Sequence, residues 1–278
     1  STTVKNKERL GSILLSSLTT KMAKMSYNIW CERGLSMANH IMSVTRVLLN
    51  YGINMEHCIV NPFSNIKKRV VANRKIVWSK KDVIRFLDIA YSDFNTRSIG
   101  LIAHMAYEWC QRVGDMRLLE WSNIDFEEKR MNIEQSKRRA EVFLPISDEL
   151  CEMLLQQQED YGFQKYVAPR PRAYRGVYTP YTLTKLPILA RKLMDSVGLS
   201  KELRLSDLRR TGTVEMVDAG VSMGNIMSVT GHANPQSVKP YMKNTYTSAN
   251  LALQTRRGLT EKKSHATSIS HADKEGLV

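Results

Sequence analysis

Five side chains in the later part of the chain are of types that can act on an anion. Arg112 follows the apolar run ending in Trp109-Cys110-Gln111, with Asp115 three residues on. A carboxylate there can pair with the guanidinium and fix its fork, which matters if the fork is to grip a phosphate in bidentate fashion. Lys137 lies in Gln135-Ser136-Lys137-Arg138-Arg139, at the expected tip of a hairpin. A flexible ammonium there could reach a leaving hydroxyl and donate a proton to it. Arg209 sits in Leu205-Ser206-Asp207-Leu208-Arg209-Arg210-Thr211, at the expected start of a helix. Ser206 and Asp207 are good caps, and first-turn amides favour anions. His232 follows Gly231 at an expected helix–helix corner, and Tyr241 stands nine residues further on. Taken singly, each has an ordinary reading: a helix-end charge, a solvated hairpin tip, a structural histidine, a core aromatic. The order and spacing of the set carry the weight.

The elements that must position these residues show in the hydrophobic pattern. Ser79 and Asp82 have the spacing of a capping box, and the helix they open carries Val83, Ile84, Phe86, Leu87 and Ile89. Another apolar helix is expected over 97–111. After Trp121 the period changes, and the segments 123–125, 131–134 and 142–145 read as three short strands joined by tight charged turns. Helices resume at Ser147, with further helical patterns near 182–197, 206–219 and 222–230. The first sixty residues read as short helices, with Tyr51-Gly52 as a helix stop and Asn61-Pro62 as a turn. The fold class expected is mainly α with a small antiparallel sheet. Its divisions are a helical block over 1–66, a basic linker over 67–78, a larger domain over 79–254 and a polar C-terminal tail over 255–278.

Composition narrows the partner. The 278 residues hold 41 Lys and Arg against 27 Asp and Glu, a formal net charge of +14. That balance favours a polyanion, because each neutralised phosphate releases condensed counterions. No apolar run approaches the ~20 residues needed to span a bilayer, so neither membrane insertion nor a signal peptide is expected. The four cysteines, Cys31, Cys58, Cys110 and Cys151, lack paired spacing and read as reduced thiols filling core space. No metal constellation or cofactor motif is visible.

Taken together, the second block resembles the catalytic domain of the tyrosine recombinases, over about residues 79–245. The first box of that family matches Arg112, Asp115, Leu119-Glu120-Trp121 and Ile124-Asp125. Its strand pair with a hairpin lysine matches Ile133-Glu134-Gln135-Ser136-Lys137 and Val142-Phe143-Leu144-Pro145. Its second box matches Ser206-Asp207-Leu208-Arg209-Arg210-Thr211, with Ala219-Gly220 after the helix, and its Gly-His and tyrosine match Gly231, His232 and Tyr241. The resemblance implies an N-terminal core-binding domain followed by a catalytic domain that cuts and rejoins DNA through a 3′-phosphotyrosine. Catalytic roles fall to Arg112, Lys137, Ser206, Arg209, His232 and Tyr241, with Asp115 supporting Arg112, and neither metal nor ATP takes part. One departure is plain: the family usually places histidine, sometimes lysine, where this chain has Ser206, and a serine is a poor base near neutral pH.

The resemblance also implies double-stranded DNA with a specific attachment or core site as partner, read by a homo-tetramer on DNA that is a monomer or weak oligomer without it. Accessory DNA-bending or excision factors and a cytoplasmic place of action in a bacterial host follow. The side chains expected on DNA are Lys67, Lys68, Arg69, Arg74, Lys75, Arg138, Arg139 and Arg210. Integration or excision of a phage or mobile element is the leading role. A Xer-like resolvase and a degenerate recombinase that only binds DNA are the alternatives.

Overall fold

A computed structural model describes residues 10–72, 74–137, 139–241, 249–250 and 252–258. The chain divides into two compact units between Lys75 and Ile76.

In the first unit, α1 (Thr20–Arg33) and α2 (Leu35–Asn54) are joined by Gly34 alone. Thr19 caps α1 by accepting the Met22 N–H, and Gly34 turns the chain with φ +148°. Ala23, Tyr27 and Trp30 of α1 meet Ala38, Met42 and Leu49 of α2, with Phe63 stacked on Trp30 at 5.8 Å. A side chain at Gly34 would force an unfavourable backbone at the single linking residue. Gly34→Ala is therefore expected to cost this unit about 1 kcal/mol, read as a lower midpoint in thermal unfolding. Two sequence expectations differ here. The two α-helices are longer than the pattern suggests, and α2 runs through Gly52 rather than stopping at it. Gly52 is buried against Cys58, whose Sγ lies 3.2 Å from where a Cβ would be, so close approach rather than chain reversal accounts for the glycine.

Both ends of the expected linker are pinned. The Arg69 N–H donates to Tyr27 Oη at 2.8 Å, and Asn39 Nδ2 donates to the Arg69 carbonyl at 2.8 Å, which ties this part of the basic stretch to the first unit. Trp78 belongs to the second unit: its N–H donates to Thr211 Oγ1 at 2.9 Å and its indole to the Arg204 carbonyl at 3.1 Å.

The second unit is built around α4 (Phe94–Glu108), buried without a break from Arg97 to Ala106. Against it pack α3 (Lys80–Tyr91), the short α5 (Val113–Met116), α6 (Asp148–Tyr161) and α8 (Leu208–Asp218). The strands β1 (Ile124–Asp125), β2 (Arg130–Glu134) and β3 (Glu141–Pro145) form an antiparallel meander in which Met131 faces Leu144 and Ile133 faces Val142. Met131, Val142 and Leu144 point into the core, following the period-2 pattern of a half-buried sheet. Two further helices, α7 (Lys185–Ser196) and α9 (Met223–Thr230), complete the unit; α9 lies against β3 and α8.

Caps fall largely where the residue types suggest, with two differences. Ser79 accepts the Asp82 N–H at 3.1 Å, but its own hydroxyl donates to Asp82 Oδ2 at 2.7 Å, so the return half of the capping box is replaced by a side-chain bond. Asp207 does not cap α8; its carboxylate turns back to accept the Arg204 N–H at 2.9 Å. The expected polar tail begins inside a helix, since 252–258 are helical in a run of good helix formers, Ala252-Leu253-Gln254 followed by Arg256-Arg257. The rest of that tail, from 259, lies outside the described residues. Among the described residues no helix is long and apolar enough to cross a membrane.

Candidate active site

The site begins where α4 ends. Cys110 takes φ +51° and turns the chain, so that Arg112 becomes the N-cap residue of α5 rather than another helical residue. Asp115, one turn into α5, is buried and lies 3.6 Å from Arg112 Nη1. Its other oxygen accepts the Ser136 hydroxyl, which ties α5 to the β2–β3 hairpin.

Arg112 is also held from the hairpin side. Gln135 Oε1 accepts its Nη1 at 3.0 Å, and Gln135 Nε2 donates to Gln111 Oε1 at 2.6 Å and to the Thr230 carbonyl at 2.9 Å. Gln111 in turn donates to the carbonyls of Trp109 at 2.8 Å and Val229 at 2.7 Å. Both amides are fully buried and both are satisfied. Neither Gln111 nor Gln135 is singled out by the sequence reading. A signal was present: Met131 and Ile133 face inward on β2, and the same alternation carries Gln135 inward, so a polar residue there needs buried partners.

Arg209 is in the first turn of α8 and is 8% exposed. Its Nη2 donates to the Thr230 carbonyl at 2.8 Å and meets His232 Nε2 at 3.3 Å. The Thr230 carbonyl thus receives Gln135 and Arg209 together, at the electronegative C-terminal end of α9. Arg209 Nη1 is buried and meets no acceptor among the described residues. Burial, and then the like charge of Arg112, lower the Arg209 pKa to about 10.

Gly231 ends α9 in the left-handed region at φ +67°, and this turn delivers His232. Thr230 Oγ1 donates to the Ile226 carbonyl at 2.7 Å, so it must accept from His232 Nδ1 at 2.6 Å. The ring proton is therefore on Nδ1, and Nε2 presents a lone pair toward Arg209. Val238, fully buried, anchors the next segment, and the short 3-10 turn Lys239–Tyr241 places the Tyr241 ring 6.1 Å from His232. Arg210 lies over that ring, its Cζ 4.8 Å from the centroid. Arg210, one of the side chains expected on DNA, thus stands beside the tyrosine.

Ser206 is exposed and lines a cleft of about 570 Å³ together with Arg112 and Arg209. Arg191, Lys201 and Arg204 add further positive charge to its wall, over Leu183, Pro187 and Met194, and no acid lines it. Lys137 is exposed in the hairpin turn, two residues past Gln135, and Arg139 beside it is exposed with φ +49°. Arg138 lies outside the described residues. Of the other side chains expected on DNA, Lys67, Lys68, Arg69 and Lys75 are exposed on the first unit, with the Arg69 guanidinium donating to Asn28 Oδ1 at 2.9 Å. Arg74 is half-buried. Arg112, Ser206, Arg209, His232 and Tyr241 therefore gather in one place, with Lys137 on the adjoining hairpin.

The sequence profile of the phage integrase family matches residues 77–248. The chain belongs to the phage integrase family. Its activity class is accordingly site-specific recombination by a tyrosine recombinase. No curated protein sequence matches the chain significantly. Among solved structures, this phage integrase family member is similar to a lambda integrase dimer bound to a COC′ core site, at 19% identity and TM-score 0.66, covering 81% of this chain and 82% of that one. A lambda integrase tetramer bound to a Holliday junction matches at 18% identity and TM-score 0.67, over 82% of this chain and 65% of that one. The Tn1549 transposon integrase in complex with a circular intermediate DNA matches at 16% identity and TM-score 0.69, over 90% and 89%. At such identities the likeness speaks for the fold.

Proposed function

We propose that this recombinase cuts and rejoins duplex DNA at a specific core or attachment site, through a covalent bond between Tyr241 and a 3′-phosphate, in integration or excision of a phage or mobile element. The observation that carries this reading is the buried Nη1 of Arg209, a cationic donor with no acceptor among the described residues, on the wall of a cleft shared with Arg112. A buried unpaired donor costs roughly 1–3 kcal/mol, and a phosphodiester oxygen would supply what it lacks.

Arg112 and Arg209 hold the non-bridging oxygens and neutralise the charge that builds as a fifth oxygen joins phosphorus. Tyr241 Oη attacks in line, forming the phosphotyrosine bond and breaking the bond to the 5′-oxygen. The phenol proton passes to His232 Nε2, whose lone pair is freed as Arg209 Nη2 turns from it to the phosphate, and this base takes on the work Ser206 cannot do. Lys137 protonates the departing 5′-oxygen. Attack by the 5′-hydroxyl of a partner strand reverses the step and conserves the bond energy. Four protomers on two sites, with accessory bending or excision factors, complete the reading; the lambda integrase tetramer on a Holliday junction supports it.

Covalent trapping tests it. Protein is mixed, with EDTA present, with nicked duplexes of randomised sequence, and detergent-resistant adducts are collected. The wild type is expected to give an adduct that Tyr241→Phe loses while still binding DNA. Ser206→His is expected to speed adduct formation by about 10²-fold, the usual contribution of a well-placed acid–base group. A stable complex that forms an adduct only in Ser206→His would mean a binder that has shed its chemistry, the one alternative that Ser206 favours.

A further inference from the structure

The segment between α6 and α7 takes no part in that chemistry. Pro169 and Pro180 pair as an antiparallel bridge, and the Arg170 N–H donates to the Thr179 carbonyl at 2.9 Å. Further out, Tyr174 and Val177 exchange backbone bonds at 2.9 and 3.0 Å across Arg175 and Gly176, which take φ +51° and +77°. Two positive φ values in succession are what a type I′ turn needs, so residues 169–180 form a small hairpin with a two-residue tip. Its root is fixed by buried Val167, Ala168 and Tyr181. Its outer half, from Arg172 to Val177, is exposed throughout, with Tyr174 at 64% and the Arg175 guanidinium 5.5 Å from the Tyr174 ring centroid.

The charges carried by the hairpin and its flanking segments have one sign, with Lys165 and Arg191 paired to Glu120 and Asp195 outside them. From Tyr161 to Met194 the chain carries seven Lys and Arg and no Asp or Glu. At the hairpin's root, Arg170, Arg172, Lys185 and Lys192 surround a cavity of about 490 Å³ floored by Ile99 and Leu189. Among the described residues none of these four cations, nor Arg175, is in an ion pair. Cations this close repel one another, and a polyanion removes the repulsion. The cavity and the cleft lie on opposite faces of α7: Pro187, Arg191 and Met194 line the cleft, while Lys185, Leu189 and Lys192 line this cavity.

We propose that the 169–180 hairpin is a DNA-gripping arm: Arg170 and Arg172, with Lys185 and Lys192, hold backbone phosphates beyond the cleavage point, and Tyr174 with Arg175 packs against the duplex at the tip. The proposal rests on the reading of the cleft as a DNA-cleaving site. Arginine forks match phosphate, and phosphate contacts set register and orientation on the duplex rather than sequence. The stacked Tyr174–Arg175 pair is exposed but partly pre-ordered, so less freedom is lost when it is seated.

The full chain with Arg172→Gln and Arg175→Gln is compared with wild type and with Arg172→Lys and Arg175→Lys, both positions being exposed and outside any ion pair among the described residues. Binding to duplex DNA of randomised sequence is followed across a salt series. The glutamine pair is expected to lower the slope of log K against log salt by about 1, for the phosphate contact that Arg172 supplies, and to weaken low-salt binding about tenfold or more. The lysine pair is expected to keep most of the slope. In complexes trapped through Tyr241, a hydroxyl-radical footprint should lose protected phosphates at one fixed distance from the cleaved bond. An unchanged slope with an unchanged footprint overturns the arm, as does a glutamine pair that binds DNA normally but loses an acidic protein partner. A wild type that forms no adduct while the slope still falls sinks the cleavage reading and leaves the arm standing.

Discussion

Arg209→Met is expected to abolish the covalent adduct while leaving the protein at least as stable as the wild type. Most substitutions of a buried residue destabilise, so the sign of the second effect is the informative one. The reason lies in the partners. Arg209 Nη2 makes two bonds, to the Thr230 carbonyl and His232, but Nη1 is buried with no acceptor and Arg112 stands nearby with the same charge. Removing the guanidinium leaves the Thr230 carbonyl still bonded to Gln135, and the loss is confined to the donor that His232 Nε2 received. A methionine of similar length fills the space and removes a charge that the fold holds out of water, which offsets the loss of the two bonds. The midpoint of thermal unfolding should hold or rise by a few degrees, at roughly 2–4 °C per kcal/mol for a unit of this size. Adduct formation should fall by about 10³-fold or more, the usual effect of removing a charge-stabilising arginine from phosphoryl transfer. Arg209→Lys should not restore it, since a point charge cannot supply both bonds of the fork. A steep loss of stability in Arg209→Met would make this residue structural and remove the observation on which the cleavage reading stands.

The candidate site was legible in the sequence to the extent that its chemistry depends on residue type. An arginine, a lysine, a second arginine, a histidine and a tyrosine at fixed spacings are rare in combination, whatever fold surrounds them. The helices were legible because their apolar faces repeat at helical spacing and Ser79 and Ser147 announce their starts. What escaped was what depends on contact across the chain. Gly52 reads locally as a stop, yet it serves a close approach to Cys58 that no local window contains. Asp207 reads as a cap, yet its carboxylate closes the preceding 3-10 turn on the Arg204 N–H and makes no cap bond to α8. Arg210 reads as one more cation for phosphate, yet helical spacing says nothing of the tyrosine thirty-one positions later that it covers. Gln111 and Gln135 carry no reactive group, so a search for chemistry passes over the two residues that hold Arg112 in place.

That hidden layer gives the second large expectation. Gly231→Ala should cost about 2–4 kcal/mol of stability and slow adduct formation by about 10²-fold, although no reacting group is touched. A Cβ at Gly231 would stand 2.5 Å from Gln135 Nε2 and 2.9 Å from its Oε1, while φ +67° is itself strained for alanine. The Gln135 amide cannot give way freely, because it bonds at once to Arg112, Gln111 and the Thr230 carbonyl. Moving it frees the Arg112 fork and loosens the corner that carries His232, and an ångström of misplacement is enough to lose two orders of magnitude in rate. Backbone strain alone would lower stability without touching the rate, so the two causes can be told apart. In Gln135→Ala the methyl at position 231 meets no amide, and adding Gly231→Ala to it should cost only the strain, about 1–2 kcal/mol. The stability losses of the two single variants would then exceed that of the double, with an interaction energy of about 1 kcal/mol or more. If the losses simply add, the glycine is present for its backbone, and Gln135 holds Arg112 without help from the turn that delivers His232.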